Sequence, residues 1–155
     1  MSSIDRADPV ILGHLLAQHR ELHSLVSAVH DRFEQLAADP AASGQAATLR
    51  QPLQALRDYL DSHFHQEEQG GFIEESLARM PRLAAAAKAV LAEHPRLLGE
   101  LDRLIASLPG ADISRLQRAD LESGFDRFCH DLITHERNEN AVVQEGYNED
   151  LGLMD

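Results

Sequence analysis

The chain has 155 residues, 26 acidic and 14 basic, with a formal net charge of −12 when histidine is neutral. A 43% hydrophobic share at this length fits one domain with its own core, and the acidic balance argues against nucleic acid, whose phosphates need clustered Lys and Arg. No run approaches the roughly 18 apolar residues of a membrane span. The opening Met1-Ser2-Ser3-Ile4-Asp5-Arg6 does not read as a secretory leader, and a single cysteine, Cys129, fits a reducing cytoplasm and excludes an internal disulfide.

A first helix is predicted from Val10 to Ala38, with Leu12, Leu15, Leu16, His19, Leu22, His23, Val26, His30 and Phe33 recurring at spacings of three and four. The segment Asp39-Pro40-Ala41-Ala42-Ser43-Gly44 ends it. A second helix runs from Gln45 to Gln69, turning Leu49, Leu53, Leu56, Tyr59, Leu60, His63 and Phe64 inward. Pro52 makes its first turn irregular or marks its true start. Gly70-Gly71 reads as a break, or as a kink opening access, and Phe72 to Met80 as a short continuation. Pro81 opens a third helix reaching Leu108, with Ala84 to Ala87 a strong helix-forming run. Pro109-Gly110 closes it. Asp112 or Ser114 offers a cap for a fourth, whose pattern is strongest from Leu121 to Glu145. No strand alternation appears. Short connections give an all-α, antiparallel up-down-up-down four-helix bundle over about residues 10–145, with a tail beyond, in one domain.

The nine histidines carry the functional signal. Helix one has Gln18-His19-Arg20-Glu21-Leu22 and helix three Glu93-His94-Pro95-Arg96-Leu97. Helix two has His63-Phe64-His65-Gln66-Glu67 and helix four His135-Glu136-Arg137-Asn138-Glu139. Each half therefore reads His, then His-x-x-x-Glu, separated by 44 residues in the first half and 41 in the second. Four residues advance a helix by about 40° and roughly 6 Å, so each His and its Glu share a face. Residue counts return His19 and His63 to one level. His94 to Leu108 is shorter than Asp112 to His135, which predicts that residues 109 to about 120 are loop or a separate short helix and that helix four starts near Asp120.

Four imidazoles and two carboxylates then meet in one layer. Buried without partners they are costly, and a pair of metal ions satisfies them together. Imidazole suits iron, zinc and copper, and two carboxylates can bridge two ions. Ferritin-like di-iron sites use Glu-x-x-His and more carboxylates. Neither motif here has that spacing or order, and a histidine-rich site stabilises high oxidation states less, favouring reversible ligand binding.

On His19, His63-x-x-x-Glu67, His94 and His135-x-x-x-Glu139, the chain resembles the hemerythrin-like (hemerythrin/HHE cation-binding) domain over about residues 10–150. The resemblance implies a bundle holding two non-haem iron ions, oxo- or hydroxo-bridged, with Glu67 and Glu139 bridging and the four histidines terminal. It also implies members that bind or sense oxygen, sense iron, or handle nitric oxide and peroxide. Two departures stand out. His23 adds a His-x-x-x-His pair on helix one, whereas respiratory members carry such a pair on helix three. Pro95 follows His94 and frees the Leu91 carbonyl. An N-terminal cysteine-bearing domain, found in the iron-centre repair branch, is not expected.

Singly, either His/Glu pair is an ordinary i, i+4 surface pair worth a few tenths of a kcal/mol; the repeated set of six is what points to metal. His23 lies about 40° from His19 and reads as a ligand or as a buried neighbour of one. Helix phase favours the ligand, although Leu98 matches it in the second half. As a fifth histidine it leaves one open position, suiting end-on oxygen binding; without it both ions stay open, suiting an enzyme or sensor. His30 reads as a core or solvent-end histidine, and His14, His65 and His130 as surface groups. Glu68 and Glu136 are expected on a solvated face, and Cys129 at the core boundary. The expected function is a cytoplasmic di-iron protein binding O2 or a similar small ligand. A di-iron peroxidase or oxidase, with Tyr59 as proton or radical source, and an iron-sensing or storage bundle are the rivals.

Overall fold

A computed structural model describes residues 9–39, 45–70 and 81–152. Four helices follow in order: α1 (Pro9–Ala38), α2 (Gln45–Gly70), α3 (Ala84–Ala106), entered through a 3-10 turn at Pro81–Leu83, and α4 (Arg115–Gly152). Each packs on two neighbours, α1 and α3 both lying between α2 and α4, which is an all-α four-helix bundle. The short continuation expected over 72–80 lies outside the described residues. No helix among the described residues is long and apolar enough to cross a membrane.

The buried positions define a tight seam. On α1, Leu15, His19, Leu22, Val29, Phe33 and Leu36 are buried, and on α4, Leu121, Phe125, Phe128, Leu132, His135, Glu139 and Val142. These recur at alternating steps of three and four, the 3.5-residue repeat of bundles packed like coiled coils. Leu16, expected inward, is 38% exposed, because it stands one position off this seam. The apolar core is split. A large cluster containing Leu22, Leu60, Phe64, Leu97 and Leu132 lies on one side of the histidines, and a small one of Ala87, Val90 and Val142 on the other. Between them sits the polar layer.

Both interior prolines are absorbed. α2 runs unbroken from Gln45 through Pro52, and α3 through Pro95. α2 starts where the sequence allows because the 107–114 connection caps it: the Ala46 amide donates to the Ala111 carbonyl at 3.1 Å, and the Ile113 amide to Gln45 Oε1 at 3.3 Å.

The expected start of α4 near Asp120 is wrong. The helix begins at Arg115, and Ser114 is its cap. The Gln117 amide donates to Ser114 Oγ at 3.1 Å while the Ser114 amide donates to Gln117 Oε1 at 2.9 Å, a reciprocal capping box. The unequal arms have a different cause. α3 ends at Ala106, and the connection that follows buries Leu108 and Ile113 and reaches the first turn of α2 at Ala46 before α4 begins. At the crossing, a Cβ on Gly124 would meet Leu104 Cδ2 at 2.9 Å, so a glycine lets α3 approach α4 there.

Candidate metal centre

The seam brings six expected donors together. His19, His63, Glu67, His94, His135 and Glu139 are all at most 4% exposed. Two groups have donor atoms within 4.8 Å of one another: Glu67, His94, His135 and Glu139 form one, and His19, His63 and Glu139 the other. Glu139 belongs to both. Its Oε1 lies 2.9 Å from His19 Nε2 and 3.8 Å from His63 Nε2, and its Oε2 3.3 Å from His135 Nε2 and 4.0 Å from His94 Nε2. Glu67 faces His63 Nε2 at 2.5 Å and His94 Nε2 at 3.9 Å.

Orientation is uniform: every Nε2 points inward and every Nδ1 outward. His63 Nδ1 donates to Gln18 Oε1 at 2.5 Å, and His94 Nδ1 to Glu68 Oε1 at 2.9 Å. His19 Nδ1 faces Glu136 Oε2 at 3.4 Å, and His135 Nδ1 faces Glu93 Oε2 at 3.7 Å. For His63 and His94 the outer acceptor suits the tautomer with the proton on Nδ1, leaving the Nε2 lone pair aimed into the layer, the form a metal ligand needs; His19 and His135 face their carboxylates at longer range, without a hydrogen bond.

The layer is unsatisfied as it stands. Nε2 of His63, His94 and His135, both oxygens of Glu67 and Oε2 of Glu139 are buried with no hydrogen-bond partner of good geometry among the described residues. Burial drives His63 down to about 4, with the other three histidines adding repulsion against the pull of Glu139. Burial likewise lowers His94, opposed by its bond to Glu68. Burial and the neighbouring Glu139 raise Glu67 far above the carboxylate range. Burial also acts to raise Glu139, but its polar neighbours Glu67, His135 and His19 outweigh it and hold that group low. Two carboxyl groups side by side thus keep one proton between them. Imidazoles, a carboxylate pair and orphaned inward-facing polar atoms are the donor set of a buried cation site.

His23 is placed elsewhere. Its side chain is 57% exposed and its Nε2 contacts Glu136 Oε1 at 2.8 Å, outside both groups. Glu136, expected on a solvated face, is 4% exposed. It stands one residue after His135, at the place that Phe64 takes after His63, and both positions turn into a helix seam. Phe64 stacks on His94 at 3.8 Å and 4°, whereas Glu136 lies between His19 and His23. Glu68 is half exposed, yet holds His94. The outer partners Gln18 and Glu93 escaped the sequence reading. The signal was there: each directly precedes a repeated histidine, and each holds the histidine of the following helix. His14, His65 and His130 are exposed, and Cys129 is half buried, 3.8 Å from His30 Nε2.

The family model described as "Hemerythrin HHE cation binding domain" matches residues 10–145. The chain matches no curated protein and no solved structure. The matched span contains all four helices' contributions to the layer, including both His-x-x-x-Glu motifs and their two lone histidine partners. By this match and this geometry, the chain belongs to the hemerythrin HHE cation-binding family.

Proposed function

We propose that the chain is a non-haem di-iron protein that binds a small diatomic ligand, O2 first, inside the bundle. The observation that carries this reading is the layer itself: four inward imidazole nitrogens and two carboxylates, one of them shared between the two donor groups. Six protein donors exceed what one ion needs, and a carboxylate common to both groups suits two adjacent ions. Bound iron would supply the redox-active centre at which the ligand is held. The chain's own residues orient the donors through their Nδ1 partners, exclude water with the flanking apolar clusters, and keep the centre rich in neutral donors. That balance favours holding a ligand over driving strong oxidation. The ligand is O2, with nitric oxide and peroxide as the other candidates, and the setting is the reducing cytoplasm.

Burial favours a second reading, an iron-sensing bundle. Orphaned donors in the core make folding depend on the metal, which links the shape of the protein to iron supply. One experiment separates the readings. The iron-loaded chain is assayed for metal, reduced, and followed by absorption as air is admitted and removed. Two ions per chain and a spectrum that appears with air and leaves on degassing support the ligand-binding protein. Metal-dependent folding without a spectral response to air supports the sensor, and absence of bound metal overturns both.

A further inference from the structure

The two donor groups share both carboxylates, since Glu67 Oε1 lies 2.5 Å from His63 Nε2, but they differ in two independent ways. The first is the outer shell. His94, His135 and His19 each face a carboxylate, Glu68, Glu93 and Glu136, whereas His63 is held by the neutral amide of Gln18. A carboxylate behind an imidazole raises its basicity as a ligand, and losing such a partner typically weakens metal binding by about 10–100-fold. The second is access. His94 is sealed by the stacked ring of Phe64. On the opposite seam a cleft of about 400 Å³ runs between α1 and α4, and His19, His23 and Glu136 line it.

The cleft is also suited to a cation at its floor. Glu136 is 4% exposed and its Oε2 has no hydrogen-bond partner of good geometry among the described residues. Arg20 and Arg137 also line the cleft but are exposed, where solvent and salt screen them, while the buried carboxylate is screened less. We propose that the two metal positions are unequal: the ion on the His94–His135 side is retained, and the ion on the His19–His63 side exchanges with solution through the α1–α4 cleft. The bundle then holds one structural ion and one whose occupancy follows supply. This rests on the di-metal reading above.

Cobalt(II) added to the metal-free full chain, followed by calorimetry and visible absorption, tests it. Two steps are expected, the second at least about tenfold weaker, the lower bound for one lost outer partner. His19→Ala should remove only the weak step, and His94→Ala the tight one. Gln18→Glu and Glu93→Gln each exchange an amide and a carboxyl of the same shape, so they test the idea even where a histidine variant fails to fold. The first should tighten the weak step, and the second should weaken the tight one. Two equal steps, or loss of the tight step in His19→Ala, overturn the inequality and leave the di-metal reading standing. No cobalt bound at all overturns that reading as well.

Discussion

In both halves of the bundle the paired imidazoles meet edge to face, at 5.3 Å and 76° for His19 and His63, and at 5.0 Å and 71° for His94 and His135. The donors repeat with the sequence; their surroundings do not. Behind His94 stands the ring of Phe64, and behind His19, at the matching place, the carboxylate of Glu136. One half has a stacked ring beside its carboxylate partners, the other a buried carboxylate and a half-exposed histidine. The repeat therefore builds the buried His/Glu layer, and the residue next to each motif histidine on α2 and α4 decides how closed that half is.

The shared carboxylate gives the largest expected effect. Glu139 contacts all four histidines, whereas Glu67 contacts His63 and His94. Glu139→Ala should empty the layer, while Glu67→Ala, which leaves every histidine its contact with Glu139, should keep about one ion per chain. Metal analysis of the two purified variants checks this, and equal losses would mean that the two carboxylates are equivalent.

Next come the two backing residues. Phe64→Ala removes a buried ring stacked on His94 and should cost about 3–5 kcal/mol by urea unfolding. Glu136→Ala should cost less, about 1 kcal/mol, through the hydrogen bond lost to His23. Equal costs would erase the contrast between an apolar and a polar backing.

The metal-free protein should also lose stability in mild acid. His63 is held at about 4 against an ordinary 6.5. Between those values the unfolded chain binds a proton that the folded chain refuses, so stability falls as pH drops from 6.5 towards 4 and levels off below. The slope from one such histidine approaches about 1.4 kcal/mol per pH unit. His94 acts with the same sign, but its bond to Glu68 opposes the shift. Urea midpoints at pH 7, 6 and 5 should therefore flatten more in His63→Gln than in His94→Gln. A profile independent of pH would show that these histidines are not buried neutral.

Much of this was legible in the sequence. Helix periodicity located α1 and α2 nearly to the residue, and the duplicated His and His-x-x-x-Glu pattern picked out the six side chains that meet in the buried layer. Two physical points were not legible from counting alone. Residue counting expects equal hairpin arms for α3 and α4, but the 107–114 connection reaches the first turn of α2 and the Ser114–Gln117 box starts α4 early. Spacings of three and four define a broad helical stripe, but the buried line steps at 3.5 residues, leaving Leu16 and His23 on its flank with side chains in reach of solvent. Glu136 departs from expectation for the complementary reason. A polar residue beside a seam looks solvated until the repeat is aligned, and then its counterpart is a buried phenylalanine.

The smallest expected effect belongs to His23, and it bears on the comparison most directly. Its Nε2 contacts Glu136 Oε1 at 2.8 Å and its side chain is 57% exposed. His23→Ala should leave metal content unchanged and cost about 1 kcal/mol, the value of one hydrogen bond to a buried acceptor. Metal analysis beside a urea melt reads both quantities on one preparation. Loss of an ion in this variant would give a different molecule. His23 would then supply the His19–His63 group with a third histidine, and the cleft between α1 and α4 would end at a ligand rather than at the partner of one. Unchanged metal content leaves that group with two histidines and keeps the two halves unequal in the way their backing residues already are.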